Sequence, residues 1–234
     1  ITKFILFRPL TRKYESEVFG ANLLRELEFL SPRTMMIDVI YNGKKSKFIF
    51  QEKIVKEFVE ELNFNENPLY EADERFTFIE LSSGRKFLEN EYRKLQKTKL
   101  INKKIVLNDV SHLRNSVLGL SIINEFLIKY DSELIPYWIL DLYSINNKID
   151  KNKNYFKKLP SFDSLLYVLN GTHGLASDDR RFYFDPIKEV FYPIYYDGDF
   201  EIFYKNNSFF ETFNYKINGS QINKISPSIL IGAN

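Results

Sequence analysis

Apolar positions recur along this chain with two periods, and each period predicts an element. Residues 3–8, Lys-Phe-Ile-Leu-Phe-Arg, are strongly β-prone and end at Pro9, which predicts a strand. Over residues 15–30 the apolar positions are Val18, Phe19, Ala21, Leu23, Leu24, Leu27 and Leu30. They fall three and four apart, as an amphipathic helix requires, and Ser31-Pro32 should stop it. Residues 34–41 and 47–51 read as two strands around Asn42-Gly43, a strong hairpin signal. Residues 54–62 read as a short helix. The first third is therefore strand, helix, hairpin, helix.

Residues 63–84 carry little periodicity and read as a connecting segment. The pattern then changes. Residues 85–100 read as a charged, solvated helix, and 110–130 and 132–146 as longer, more apolar, buried helices. Residues 150–158 form a basic, Asn-rich loop, and 162–169 another helix. Gly171-Thr-His-Gly174 follows, then an acidic-basic cluster, then short strands at 182–185 and 190–196, and at once Asp197-Gly198-Asp199. Residues 200–234 hold scattered aromatic and Asn residues with no clear element.

The chain has 234 residues, 44% hydrophobic and 27% charged, a globular balance that fits one large domain or two tightly joined lobes. With 22 Phe and 15 Tyr, disorder over most of the length is excluded. Basic residues number 33 and acidic 31, giving a net charge of +2, too balanced to point to nucleic acid. No Cys is present, and the only His are His112 and His173, so disulfides, thiol nucleophiles and multi-His metal sites are excluded. The most apolar stretches, 116–128 and 134–143, are too short to span a bilayer and each carries an acidic residue. No signal peptide is visible. The chain opens at Ile1 without Met and reads as a processed or excised piece.

The chemistry-bearing arrangement is a helix, a Gly-containing loop, a two-stranded ribbon and an Asp-x-Asp. A hairpin brings its ends together, so Asp178, Asp179, Asp197 and Asp199 are expected to converge. Carboxylates that close repel unless a cation lies between them. Mg²⁺ suits such a site, because it takes one or two carboxylates and completes its shell with phosphate oxygens. A hairpin with solvated acidic ends, partly neutralised by Arg180 and Arg181, has the same pattern. Protein kinases use this arrangement: a loop carries a catalytic Asp and an Asn, a hairpin follows, and a second Asp holds Mg²⁺. The upstream phosphate-steadying Lys would be Lys3, paired with a helix carboxylate, Glu17 or Glu26. A surface Lys near a chain end is the plainer alternative.

At this point the sequence resembles the CotH family of spore-coat-type atypical protein kinases, as a divergent member. The resemblance rests on Phe-Arg-Pro-Leu-Thr-Arg (7–12), Leu-Leu-Arg-Glu-Leu-Glu-Phe-Leu-Ser-Pro-Arg (23–33), and Tyr-Asn-Gly (41–43) leading to Phe-Gln-Glu-Lys-Ile (50–54). Farther on it rests on Asp-Asp-Arg-Arg-Phe-Tyr-Phe-Asp-Pro (178–186) and Phe-Tyr-Pro-Ile-Tyr-Tyr-Asp-Gly-Asp (191–199). It spans roughly residues 3–200; each motif is short, but their order and spacing agree.

The resemblance implies an α+β, two-lobed protein-kinase-like fold. The small α/β N-terminal lobe would cover about 1–62, the connector 63–84, and the larger, mainly helical C-terminal lobe 85–234, within one domain open at both ends. It implies ATP and Mg²⁺ (or Mn²⁺) as cofactors, a protein substrate or a cell-surface or coat partner, and coat or surface association. Asp197 and Asp199 match the family's metal-binding Asp-x-Asp, and Asp179 falls at the loop Asn, six positions before Asp185-Pro186. The catalytic Asp, five residues before that Asn, is replaced by Gly174. His173 or Asp178 would serve as base instead; His173 could equally just shape its loop. Glu52 would lie near the adenine, or be a helix-start Glu favoured by the dipole. The glycine-rich loop expected before Lys3 is missing. Three functions follow: phosphotransfer to a protein hydroxyl, a catalytically impaired kinase-like binding module, or nucleotidyl transfer on the same scaffold.

Overall fold

The computed structural model describes residues 3–73, 98–107, 110–131, 155–175 and 179–202. The expected helix 132–146, most of the expected helix 85–100, the start of the basic loop and Asp178 lie outside them. The described chain is mixed α+β with two antiparallel sheets. It divides into two compact units. The first takes residues 1–65, 158–175 and the chain from 194; the second takes 66–157 and 176–193.

In the first unit, β1 (Phe4–Phe7), β2 (Thr34–Tyr41) and β3 (Lys44–Glu52) form a sheet in the order β1-β3-β2. The β2–β3 turn is the expected one. Asn42 and Gly43 both have positive φ (50° and 74°), the geometry of a tight two-residue hairpin loop, so Tyr41 pairs with Lys44. Helix α1 (Glu15–Glu26) buries Ser16, Glu17, Gly20, Ala21 and Leu24, one stripe at helical spacing. Glu15 and Glu17 in its first turn and Arg25 in its last suit the helix dipole.

The apolar spacing would carry α1 to Leu30, but the helix ends four residues earlier. Glu28 turns left-handed (φ 61°), its N–H bonds to the Arg25 carbonyl at 3.0 Å, and the Phe29 N–H bonds to the Leu24 carbonyl at 2.9 Å. That is a Schellman ending, and it frees Phe29 and Leu30 to be buried outside the helix. Helix α2 (Lys56–Glu61) ends the same way on Asn63. So does helix α4 (Leu159–Val168), on Asn170.

The second unit corrects four expectations. The connecting segment 63–84 contains β4 (Leu69–Ala72), an inner strand of a sheet ordered β5-β4-β6-β7. Three of its four residues are buried, so it shows no alternation. The end of the expected helix 85–100 is strand β5 (Thr98–Leu100). Strands β6 (Arg181–Asp185) and β7 (Val190–Ile194) are the expected hairpin. Phe191 stacks on Phe156 (centroids 5.0 Å apart) and on Phe184 (4.6 Å), making an aromatic core. Phe156 comes from the stretch expected as a basic loop, yet it is buried. Helix α3 (Val110–Asp131) buries Ile122 and Ile123, but Val110 is 81% exposed and Val117 58%, so its first half is not the buried helix the composition suggests. The Tyr70 hydroxyl donates to the Ser116 carbonyl at 2.8 Å and ties β4 to α3.

Candidate functional site

The first unit gathers charged and polar groups around Asp197-Gly198-Asp199. Both aspartates are left-handed, with φ of 47° and 52°, a conformation Asp tolerates better than most residues. Gly198 between them has no room for a side chain, because a Cβ would lie 2.8 Å from the Tyr195 ring. Its N–H instead donates to the Tyr195 hydroxyl oxygen at 3.0 Å. The Tyr195 N–H bonds to the Leu30 carbonyl at 2.8 Å, which anchors the base of the loop.

The Tyr195 hydroxyl donates to Glu17 Oε2 at 2.6 Å, and Gln51 Nε2 lies 3.5 Å from Glu17 Oε1. Glu17 is almost wholly buried. Burial pushes its carboxyl up to about 7, against the lowering effects of the Tyr195 hydrogen bond and the Arg12 charge; Asp199 adds a smaller upward push. Burial likewise raises Tyr195 well above the usual phenol range, so its hydroxyl keeps its proton and remains a donor at neutral pH.

Arg12 ends the 3₁₀ turn Pro9–Arg12 after β1 and forms an ion pair with Asp197 Oδ1. Its guanidinium lies 4.4 Å from the centre of the Phe7 ring and 5.9 Å from that of Tyr196. Lys13 Nζ lies 3.3 Å from Glu201 and 3.9 Å from Asp199. His173, in the 3₁₀ turn Thr172–Leu175, brings Nε2 to 3.9 Å from Asp197 Oδ2. Gly174 beside it is buried, and a Cβ there would come within 3.3 Å of the Gly198 Cα and the Tyr196 carbonyl oxygen.

Of the residues singled out in the sequence, Asp197, Asp199, Glu17 and His173 belong to this group. Asp179 is buried at the entrance to β6 and belongs to the second unit. Lys3 is exposed and, among the described residues, makes no ion pair with Glu17 or Glu26. It precedes β1 by one residue, and the cations beside the acidic loop are Arg12 and Lys13. Glu26 is exposed. Glu52 is buried at the end of β3, where Arg33 meets it at 3.4 Å. Arg33 also pairs with Glu61, which Arg25 contacts at 2.6 Å, so Glu52 is part of an ion-pair network.

Sequence reasoning missed Arg12, Lys13, Gln51, Tyr195 and Glu201. Arg12 carried a signal, since it lies inside the run 7–12 on which the resemblance was built. The donor chemistry fits Mg²⁺: two aspartates on one short loop offer hard carboxylate oxygens, and Arg12 holds only one oxygen of Asp197. Among the described residues no helix is long and apolar enough to cross a membrane. No protein-family model matches the chain, and no curated protein matches it.

Proposed function

We propose that this chain is a divergent CotH-like atypical kinase with a two-lobed protein-kinase-like fold, transferring a phosphoryl group from ATP to a protein hydroxyl with Mg²⁺ or Mn²⁺. The observation that carries the reading is the loop after the β6–β7 hairpin. It holds Asp197 and Asp199, with an arginine against the first and a histidine 3.9 Å from its other oxygen. The element order before it, strand, helix, hairpin and helix, also supports the reading. In this reading Asp197 and Asp199 hold the metal, which supplies positive charge against the phosphate oxygens. His173 Nε2 accepts the proton of the attacking hydroxyl. Glu17, through Tyr195, fixes the backbone of Gly198 and so the direction of both aspartates. Surface or coat association rests on the family resemblance.

A second reading, a kinase-like binding module in a surface or coat assembly, is favoured by Gly174. The backbone packed against it leaves little space for the carboxylate that a kinase loop would carry there. One experiment separates the readings: the full chain incubated with Mg²⁺ or Mn²⁺ and ATP labelled at the γ- or, separately, the α-phosphate. Protein labelled from γ alone means kinase, and label from α means nucleotidyl transfer. ATP binding without transfer means a binding module. Absence of ATP binding overturns all three.

A further inference from the structure

We infer that Arg12 is the cation that meets the nucleotide's phosphates, exchanging its ion pair with Asp197 for one with the phosphate chain. The inference rests on the ATP-binding reading above. Arg12 and Asp197 are both largely withdrawn from water, with side chains 13% and 16% exposed, so this is not a loose surface pair. The guanidinium occupies one of the two Asp197 oxygens, and loosening that hold would free both for a metal. The group arriving with the metal, a chain of phosphates, is the best new partner for the released fork, because a guanidinium matches phosphate with two parallel N–H bonds.

The surroundings of Arg12 fit a change of partner. Phe7 and Tyr196 flank its guanidinium with aromatic rings, which attract a cation whichever anion it faces. The turn bearing it runs into Lys13 and Tyr14, both at positive φ (51° and 54°), a costly backbone of the kind held at sites that bind or switch. Lys13 lies against Glu201 and Asp199, and Lys3 is exposed. Arg12 therefore locks Asp197 without nucleotide and clamps the phosphates with it.

The test is calorimetric binding of MgATP and of adenosine to the full chain and to Arg12→Ala, Arg12→Lys and Lys3→Ala. Arg12→Ala should weaken MgATP binding by roughly ten- to hundredfold and leave adenosine binding unchanged. Lys3→Ala should bind both as the parent does. If the parent binds MgATP and Arg12→Ala binds it equally well, the clamp is overturned while the ATP-binding reading stands. If the parent binds no MgATP, that reading falls and the clamp with it. Should Arg12→Ala not fold, Arg12→Lys carries the test: it keeps the charge and loses the fork, and undiminished MgATP affinity there overturns the assignment.

Discussion

A carboxyl enclosed by a phenol and an amide, with an arginine near, exchanges its proton near neutrality, and Glu17 does so between α1, β3 and the acidic loop. In the unfolded chain it ionises near 4.5; in the folded one burial moves this to about 7. Between those values the folded state holds the proton more tightly, so stability from this group falls as pH rises from about 4.5 to about 7 and is flat above. The shift corresponds to roughly 3 kcal/mol. Glu17→Gln keeps an oxygen for the Tyr195 hydroxyl and removes the titration. Urea unfolding at pH 5 and pH 8 should show the parent losing more stability than the variant; equal losses would place the cost elsewhere. For Asp197→Asn, circular dichroism should report an intact fold while ATP binding loses its dependence on Mg²⁺. Retained dependence would remove Asp197 as a ligand. Gly174→Asp puts a carboxylate back where the kinase pattern wants one, yet its Cβ meets backbone at 3.3 Å. The substitution should lower the melting temperature and give no gain in phosphotransfer; a gain would mean that the loop moves aside.

At the level of elements, helix ends decide what the helices can bury. Three helices stop on a left-handed residue, and in α1 that residue is Glu28, which has a Cβ to accommodate. Glu28→Gly should therefore stabilise the protein by about 1 kcal/mol or less, the relief of the left-handed strain offset by glycine's greater freedom when unfolded. Thermal unfolding would reveal it; a lower melting temperature would show that the Glu28 side chain contributes more than its backbone costs. The same ends explain what was legible in the sequence. The hairpin around Asn42-Gly43, the β6–β7 ribbon and the Asp-Gly-Asp loop were readable, because turn residues and alternation mark them locally. The end of α1 was not, since Leu27 and Leu30 continue the spacing past the true stop. Strand β4 was hidden for the opposite reason: almost fully buried, it has no polar face to give it a period. Within the site the acidic residues stood out by spacing. Arg12, Gln51 and Tyr195 each lie inside a run that carries the resemblance, but they reach the acidic residues only through tertiary contacts, which spacing along the chain does not mark.

Across the whole molecule, neither compact unit is a continuous stretch of chain. Residues 1–65 share their unit with 158–175 and with the chain from 194. A fragment of residues 1–65 lacks Tyr195, the donor to Glu17, and Phe162, whose ring lies 5.5 Å from that of Phe29. Expressed alone it should show no cooperative thermal transition, and a sharp one would mean that β1 to α2 are self-sufficient. Periodicity reports neighbours along the chain and not the later segments that return to them. Phe200 shows what such a return entails. Its fully buried ring stacks on Tyr195 and fills the space that side chains at Gly20 and Gly171 would need. Three positions far apart in the chain thus divide one phenyl ring's volume among them. A larger residue at either glycine is tolerable only with a smaller one at 200, so these positions form a unit of sequence change, and a single substitution at one of them measures all three.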